Sequence, residues 1–334
     1  MSDILEVAAL AGVSPATVSR AITAPEKLRA ETLARVQDAI YRLNYKPNAR
    51  AQGLRRQRSG TIMVVVNDLH NPFIASVVRA IEDRAQDLDL SVLIGDSQRV
   101  SARELAYGEM AARGVADGII QLGPRLPLAS ERDLERCPVV SVLDCFDHPA
   151  VPTVQVDNQA AARCVIEYLF GLGHRRIALI TGPETSTQSR DRLGGAQSAF
   201  AMLGGRPDDL LLGTGDYSAI GGYRVTIRLL DGAMPGPTAL FCFNDLMAIG
   251  AIKAVMDAGM RVPTDMSVVG FDDIDVARFL NPALTSVLQP AQEIGAMAVD
   301  ILAARMADRG SPVASGSIAF TLKPRGSSGS APDA

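Results

Sequence analysis

The chain has 334 residues, a length that predicts two or three domains. Hydrophobic residues make up 47% of it, enough for a sizeable core, and no apolar run approaches the ~20 residues of a membrane-spanning helix. The net charge is unevenly divided: residues 1–59 hold 10 Lys and Arg against 5 Asp and Glu, which leaves −9 for residues 60–334. A basic N-terminal segment on an acidic remainder predicts a nucleic-acid contact confined to one end of the chain.

The N-terminus and the cysteines indicate a cytoplasmic protein. Asp3 and Glu6 lie where a secretory signal segment would begin, so no such segment is expected. The cysteines form no C-x-x-C pair and are expected to be reduced thiols. They are Cys137, Cys145, Cys164 and Cys242. The histidines are far apart and have no metal-ligand spacing. We therefore expect no metal, no cofactor and no membrane partner.

Residues 4–22 have the pattern of two short helices joined by a turn at Gly12. Ser14 is a favourable N-cap residue, and Pro15 suits the first helical position because its missing N–H would have no partner there. Val18 and Ile22 fall on one face of the second helix. Two helices with a glycine-containing turn predict a helix-turn-helix, whose second helix lies in the DNA major groove. A helical hairpin with a solvated basic face is the alternative.

A third helix is predicted from residue 31 to about residue 43. Its apolar residues recur at helical spacing and would complete a three-helix core. These residues are Leu33, Val36, Ile40 and Leu43.

The basic segment that follows, residues 47–59, carries four arginines around Leu54. Its composition suits a segment that orders only on DNA, with the arginines on phosphates and Leu54 wedged between base steps in the minor groove. A charged linker is the alternative. Gly53 favours that alternative, because glycine costs roughly 1 kcal/mol in a helix relative to alanine.

From Thr61 onward, short apolar runs alternate with helical stretches. Strands are predicted at residues 62–66, 90–94, 118–122, 139–143, 153–156, 177–181, 239–243 and 268–271. Helices fit between them, for instance at 72–88 and 158–172. This alternation predicts doubly wound parallel sheets. Its restart after Asp157 predicts two similar lobes with a ligand cleft between them, at the carboxyl ends of the strands.

Several segments of the sequence resemble the lactose-repressor family of bacterial transcription regulators. In the N-terminal part they are Val7-Ala8-x-x-Ala11-Gly12-Val13-Ser14-x-x-Thr17-Val18-Ser19-Arg20 and Asn44-Tyr45-x-Pro47-Asn48. In the remainder they include Gly173-His174-x-Arg176-Ile177, Asn244-Asp245-x-Met247-Ala248 and Gly270-Phe271-Asp272. These segments follow the family's order from residue 4 to about residue 290, so the resemblance covers nearly the whole chain.

The resemblance implies a small all-α helix-turn-helix head joined by a hinge helix to an α/β body. The body is expected to be two-lobed and like the periplasmic binding proteins, with doubly wound parallel sheets. The implied boundaries are 1–46 for the DNA-binding domain, 47–59 for the hinge helix or linker and 60–324 for the effector-binding and dimerisation domain. Residues 325–334 are Gly/Ser-rich without a leucine heptad, which predicts a disordered tail.

By the same resemblance, the chain is a transcription repressor that binds a pseudo-palindromic operator in double-stranded DNA as a homodimer. A small molecule in the cleft between the lobes controls its operator affinity. Leu93-Ile94-Gly95-Asp96 and Gly182-Pro183-Glu184 most resemble a cytidine-responsive member of the family. That similarity implies a nucleoside effector such as cytidine, with a sugar or a purine as the alternative.

The family's DNA-contacting positions carry over to residues of the helix-turn-helix and the hinge. Pro15 and Ala16 occupy the main base-reading positions, and as apolar side chains they would contact thymine methyl groups. Arg20 would read guanine or hold a phosphate. Thr17 and Ser19 are phosphate partners or surface hydroxyls, and Leu54 is the expected minor-groove wedge. The full predicted set is Ser14, Pro15, Ala16, Thr17, Ser19, Arg20, Asn48, Arg50, Leu54 and Arg55.

The family's effector-binding positions correspond to Phe73, Asp144, Arg192, Tyr217, Asn244 and Asp272. An aromatic ring stacks on a base or on the apolar face of a sugar. Two carboxylates, an amide and a guanidinium suit a ligand with several hydroxyl groups, because hydroxyls donate to aspartate and accept from arginine. Taken alone, Phe73 could be a core residue and Asp272 a strand-end cap.

Two other classes of protein are less consistent with the sequence. A solute-binding component of a transporter would suit the body, but the basic helical head argues against it. For an enzyme, Gly213-Thr214-Gly215 opens a G-x-G-x-x-G pattern, but Ser218 occupies the sixth position. The sequence has no P-loop, zinc spacing or G-x-S-x-G motif. We therefore expect a non-enzyme without catalytic residues.

Overall fold

The computed structural model describes residues 3–45, 59–232, 236–308 and 315–332. The chain divides into two compact units, Met1–Ser59 and Gly60–Ala334. The predicted hinge contacts lie outside the described residues; they are Asn48, Arg50, Leu54 and Arg55.

The N-terminal unit is built from three helices, as the apolar spacing predicted. They are α1 (Ile4–Ala11), α2 (Pro15–Thr23) and α3 (Ala30–Arg42), with a short 3-10 turn at Pro25–Lys27. Their inward faces bury a small core made of Val7, Ala8, Ala11, Val18, Ala21, Val36 and Ala39. Small side chains dominate this core, so the helices approach one another closely.

The turn between α1 and α2 is fixed by the conformation of Gly12 and by hydrogen bonds from α3. Gly12 has a left-handed φ of 61°, a conformation that glycine adopts without steric cost and that ends α1. The Arg35 guanidinium, on α3, donates to the Ala11 carbonyl oxygen at 2.5 Å and to the Gly12 carbonyl oxygen at 3.1 Å. These bonds satisfy carbonyls that the end of α1 leaves unpaired, and they fix the direction in which α2 begins.

The body alternates strands and helices. Its first part contains β1 (Thr61–Val66), α4 (Pro72–Asp87), β2 (Ser91–Asp96), α5 (Ser101–Met110), β3 (Gly118–Gln121), α6 (Glu131–Arg136), β4 (Val139–Val142) and β5 (Thr153–Val156). The second part contains α7 (Asn158–Gly171), β6 (Ile177–Thr181), α8 (Thr187–Met202), β7 (Leu210–Thr214), α9 (Ala219–Gly232), β8 (Ala239–Cys242), α10 (Asp245–Asp257), β9 (Ser267–Asp272) and β10 (Thr285–Leu288). The last elements are α11 (Ala291–Ala307), β11 (Gly316–Ile318) and β12 (Thr321–Lys323).

The strands form two six-stranded sheets, one in each lobe. The first has the order β11-β5-β4-β3-β1-β2, and the second has the order β12-β10-β9-β8-β6-β7. All strand pairs are parallel except β10 with β12. The chain passes from the first lobe to the second after β5, returns after β10, and passes once more between β11 and β12. The predicted doubly wound fold with two lobes is therefore confirmed.

Four strands were not predicted, and each lies at or near the edge of a sheet. Strand β7 is only partly buried, and Gly213 ends its apolar run after three leucines, which is shorter than the runs of the central strands. Strand β12 is the antiparallel edge of the second sheet, and β11 is a three-residue edge strand. Strand β10 is buried but polar, with Thr285 and Ser286 facing hydrogen-bond partners.

The prediction of a disordered tail is wrong for residues 325–332. Ser327 is fully buried, and its hydroxyl donates to the Val268 carbonyl oxygen at 2.6 Å and accepts from the Thr285 N–H at 2.8 Å. The Arg325 guanidinium binds the Asp273 carboxylate at 2.6 and 3.0 Å. A Gly/Ser composition suggests disorder because it lacks apolar groups, but here hydroxyl and backbone hydrogen bonds hold the segment against the second lobe.

Within the described ranges, no helix is long and apolar enough to cross a membrane. No group of three or more His, Cys, Asp or Glu side chains among these residues is arranged to hold a metal ion. All four cysteines are free thiols, and three of them are buried.

Candidate functional site

The second helix of the N-terminal unit presents a surface suited to a DNA groove. Pro15, Ala16 and Arg20 are exposed, whereas Val18 on the opposite face is fully buried. Ser14 caps the helix: its hydroxyl accepts from the Thr17 N–H at 3.2 Å and lies 3.0 Å from the Thr17 hydroxyl. The sequence-predicted cap is therefore present, and the apolar pair Pro15 and Ala16 lies at the start of an exposed helical face.

A small cavity opens between the two lobes at the carboxyl ends of the strands. It is lined by Asn67, Asn71, Phe73, Ile74, Arg99, Leu143, Gln188, Arg192, Tyr217, Asn244 and Asp272. This lining combines apolar walls with a few placed polar groups, as small-molecule pockets do. The structure thus brings together five of the six residues predicted for the effector site.

Arg192 is the central cation of this cavity, although its residue is only 1% exposed. Its guanidinium donates to the Asn158 side-chain oxygen at 2.8 Å, to the Gln188 side-chain oxygen at 3.1 Å and to the Phe243 carbonyl oxygen. It also lies over the Phe271 ring, with Cζ 3.5 Å from the ring centroid. Burial lowers the pKa of Arg192, and nearby anionic groups oppose that shift. These contacts hold the guanidinium in one position before any ligand arrives.

Asp272 lies at the end of β9, where its side chain lines the same cavity. Gln289 donates to its carboxylate at 2.7 Å. Burial raises the pKa of Asp272 to about 7, despite the opposing attraction of Arg192. Because this pKa exceeds that of an unfolded aspartate, ionisation of Asp272 lowers the stability as the pH rises from about 4 to about 7. The φ of 108° at Asp272 is unusual for a non-glycine residue, and such strain is typical of functional sites.

Tyr217 and Phe73 place two aromatic rings on this cavity, one from each lobe. Tyr217 has a left-handed φ of 67°, and its hydroxyl lies 3.0 Å from the Ser186 hydroxyl. Its carbonyl oxygen accepts from the Asn244 side-chain amide at 3.0 Å. Phe73 lies in the first turn of α4, and its N–H donates to the Asn71 side-chain oxygen at 2.9 Å. Hydrogen bonds of its hydroxyl and its backbone therefore position Tyr217, and a backbone hydrogen bond positions Phe73.

Asp144, the sixth predicted residue, lines a neighbouring cavity that shares Asn67 and Arg99 with the first. Its carboxylate accepts from the backbone N–H of Thr187 at 2.8 Å and of Gln188 at 3.3 Å. Burial raises the pKa of Asp144, and the hydrogen bonds from the start of α8 oppose the shift. Asp144 thus contacts the opposite lobe and does not itself line the first cavity.

Sequence reasoning missed four polar residues that line the first cavity: Asn67, Asn71, Arg99 and Gln188. Asn67 follows β1 directly, so the rule that ligands bind beyond the carboxyl ends of strands could have identified it. Gln188 precedes Arg192 by one helical turn on α8 and therefore faces the same side. Arg99 carries no comparable signal, since it lies in the loop after β2 at a left-handed φ of 61°.

Comparisons with known proteins agree with this architecture. Residues 3–48 match the family model of bacterial regulatory proteins of the lacI family, and residues 166–328 match that of a periplasmic binding protein-like domain. The HTH-type transcriptional repressor CytR of Escherichia coli strain K12 is 37% identical over 314 residues, which cover 93% of this chain and 91% of CytR. The chain belongs to the lacI family. As a member, it is a DNA-binding repressor with a ligand-binding body.

Two further relatives support membership of the lacI family. The ribose operon repressor of Escherichia coli strain K12 is 34% identical over 314 residues, covering 92% of this chain and 93% of that repressor. A solved structure of the Lac repressor dimer bound to operator and the anti-inducer ONPF superposes with a TM-score of 0.88 at 29% identity. That superposition covers 98% of this chain and 99% of the solved chain.

Proposed function

We propose that this lacI-family repressor is a dimer whose affinity for operator DNA is controlled by a nucleoside, such as cytidine, bound between the lobes. The observation that carries the proposal is the joint placement of Phe73 and Tyr217 beside Arg192 and Asp272 in one cavity. The rings offer surfaces on which a base stacks, and the charged pair offers an acceptor and a donor for ribose hydroxyls. The similarity to CytR supports the same assignment.

The polar amides around the cavity fit a nucleobase edge. Asn67, Asn71 and Gln188 line the cavity together with the aromatic rings, and their side-chain NH₂ groups are donors for a base. A free pentose would use Arg192 and Asp272 but has no base for the rings and amides. Ribose is nevertheless the second candidate, because the ribose operon repressor is 34% identical to this chain.

Control of DNA binding requires that the effector favour one arrangement of the two lobes. A ligand that bound both arrangements equally would leave operator affinity unchanged. The proposed cavity meets this requirement, because Phe73 belongs to the first lobe and Tyr217, Arg192 and Asp272 belong to the second. A ligand that contacts both sets of residues is bound most tightly when the lobes are close together.

Exposed apolar side chains on the first lobe support self-association. Leu93 and Ile94, on the edge strand β2, are 41% and 40% exposed, and Leu105 and Met110 on the neighbouring helix α5 are exposed as well. An edge strand with exposed apolar residues is a ready surface for pairing with another chain. We propose that this face contributes to the dimer that places two recognition helices on a pseudo-palindromic operator.

A thermal-shift screen of the purified chain tests the effector assignment. Cytidine, other nucleosides, ribose, hexoses and cytosine are each added over a wide concentration range. A ligand at 100 times its Kd stabilises a protein by ~2.7 kcal/mol, which raises the melting temperature by several degrees. We expect a shift with cytidine and none with ribose. A shift with ribose alone would overturn the nucleoside assignment and support the sugar alternative.

Replacing Arg20 with alanine tests the DNA-reading surface of α2. If Arg20 contacts a guanine, the substitution is expected to weaken operator binding by ~1–3 kcal/mol and to relax the base preference at one operator position. Binding is measured on the operator and on single-position variants of it at two salt concentrations. An equal loss on every DNA sequence, with a shallower salt dependence, would instead assign Arg20 to a phosphate.

The raised pKa of Asp272 predicts that effector binding depends on pH. An ionised carboxylate is the acceptor for ribose hydroxyls, and the pKa of about 7 leaves Asp272 mostly protonated at pH 6. The affinity for cytidine is therefore expected to rise about tenfold from pH 6 to pH 8, with release of a proton on binding at pH 6. Titration calorimetry in two buffers of different ionisation enthalpy measures both. Equal affinities at pH 6 and 8 would contradict this role for Asp272.

A further inference from the structure

A carboxylate of the first lobe caps a helix of the second. Asp144 follows β4, and its Oδ1 accepts from the N–H groups of Thr187 and Gln188, the first two residues of α8. A helix leaves its first four N–H groups without partners inside the helix, and its N-terminus attracts negative charge. The hydroxyl of the helix's own cap residue, Ser186, accepts from the Ser189 N–H, one turn further along α8. Asp144 therefore completes the capping of α8 across the cleft.

The energetics of this contact allow it to open and close. Asp144 is only 3% exposed, and backbone N–H groups together with the attraction of the Arg192 charge stabilise its carboxylate. A buried carboxylate is costly unless hydrogen bonds compensate it. When the lobes separate, water can hydrate both the carboxylate and the exposed N–H groups of α8. The free-energy difference between the arrangements with the lobes together and apart is therefore small, because the cost of desolvation and the gain from hydrogen bonding nearly cancel.

The capped helix carries two of the polar groups that face the effector cavity. The Gln188 side-chain oxygen accepts a hydrogen bond from Arg192 on the same helix, and both side chains line the cavity. A second contact joins the lobes nearby: the Arg99 guanidinium of the first lobe lies 5.3 Å from the centroid of the Tyr217 ring of the second. The position of α8 relative to the first lobe thus sets the distance between the two walls of the cavity.

We propose that Asp144 is a latch between the lobes, a positioning residue that holds α8 in the effector-binding arrangement rather than contacting the effector. The role rests on the proposed function, in which this cavity binds the effector. Asp144 raises the population of the closed arrangement before any ligand binds. Since apparent affinity scales with the population of the binding-competent state, loss of the latch weakens effector binding without removing a ligand contact.

Pulsed electron paramagnetic resonance on the ligand-free full chain tests the latch. Spin labels are attached at Glu82→Cys on α4 and Ser198→Cys on α8, both exposed, after Cys164→Ser removes the one half-buried thiol. Labelled chain is diluted with unlabelled chain so that only distances within one subunit contribute. With Asp144→Ala, which removes the acceptor for the Thr187 and Gln188 N–H groups, we expect a second, longer distance that the parent lacks. An unchanged distance distribution would overturn the proposal.

Asp157→Ala is the matched control. Asp157 also caps a helix with its carboxylate, but it accepts from Ala160 of the same helix, α7, and not from the opposite lobe. Its replacement removes a helix cap without removing a bond between the lobes, so the parent distance distribution is expected. Appearance of the longer distance in this control as well would overturn the specific role of Asp144.

Calorimetric titration with cytidine separates the latch from the proposed function. Asp144→Ala is expected to weaken cytidine binding about tenfold, because the acceptor that joins the first lobe to α8 is removed. Asp144→Glu, which restores the charge, is expected to recover part of the affinity. If the parent does not bind cytidine, the nucleoside assignment fails while the distance measurement still decides whether Asp144 joins the lobes.

Discussion

Replacing Arg192 with methionine is expected to lower the free energy of unfolding by about 3–5 kcal/mol and to abolish effector binding. Methionine keeps much of the volume but removes every donor of the guanidinium. The Phe243 carbonyl and the Asn158 side chain then lose their partner inside a dry site, and Asp272 loses its nearest buried cation. Removing one member of a buried polar network is strongly destabilising, because its former partners stay buried without a hydrogen bond.

Arg190→Met is the matched control for this substitution. Arg190 lies two residues earlier on α8, is exposed, and donates to the Glu184 carbonyl oxygen and the Thr187 hydroxyl. Its replacement is expected to change stability by less than about 1 kcal/mol, since exposed polar contacts contribute little. Urea denaturation of both variants measures the difference. Similar losses for Arg190 and Arg192 would show that the buried network does not stabilise the body as argued.

The strand–helix alternation made the body predictable from the sequence. Buried parallel strands are continuous apolar runs, so β1, β6 and β8 were found with boundaries within one or two residues. The resemblance to the family placed Asn244 and Asp272 in a common cleft, and the structure has both on one cavity at the carboxyl ends of the strands. Edge strands such as β7 were not predicted, because they are only partly buried and their apolar runs are short.

Other features depend on contacts between residues distant in the sequence. The hydrogen bond from Arg35 to the Ala11 carbonyl oxygen links α3 to α1, and the spacing of apolar residues in these helices does not predict it. The ordering of Ser327 depends on Val268 and Thr285, which are contributed by separate strands. Asp144 was predicted as an effector-site residue. Its contact with the start of α8 depends on how the two lobes pack and could not be predicted from the sequence. The roles of the individual DNA and effector contacts stay predictions.

Replacing Gly182 with alanine is expected to damage the effector cavity through Tyr217. A methyl group at Gly182 would overlap the Tyr217 ring, including its Cζ and Oη atoms. The backbone of Gly182 itself tolerates a side chain, so the ring must move, and it then loses its hydroxyl contact with Ser186. We expect stability to fall by about 1–3 kcal/mol, the usual cost of overpacking, and cytidine affinity to fall about tenfold or more.

Gly194→Ala separates this effect from the general consequences of replacing a glycine. Gly194 lies inside α8 with open space around its missing side chain, so alanine there is expected to stabilise the protein by about 0.5–1 kcal/mol. Its cytidine affinity should equal that of the parent. Tyr217 already has a left-handed φ, which is a strained backbone conformation for a tyrosine. We therefore expect the backbone to accommodate little displacement of the ring. Normal cytidine binding by Gly182→Ala would therefore exclude the Tyr217 ring from the effector site.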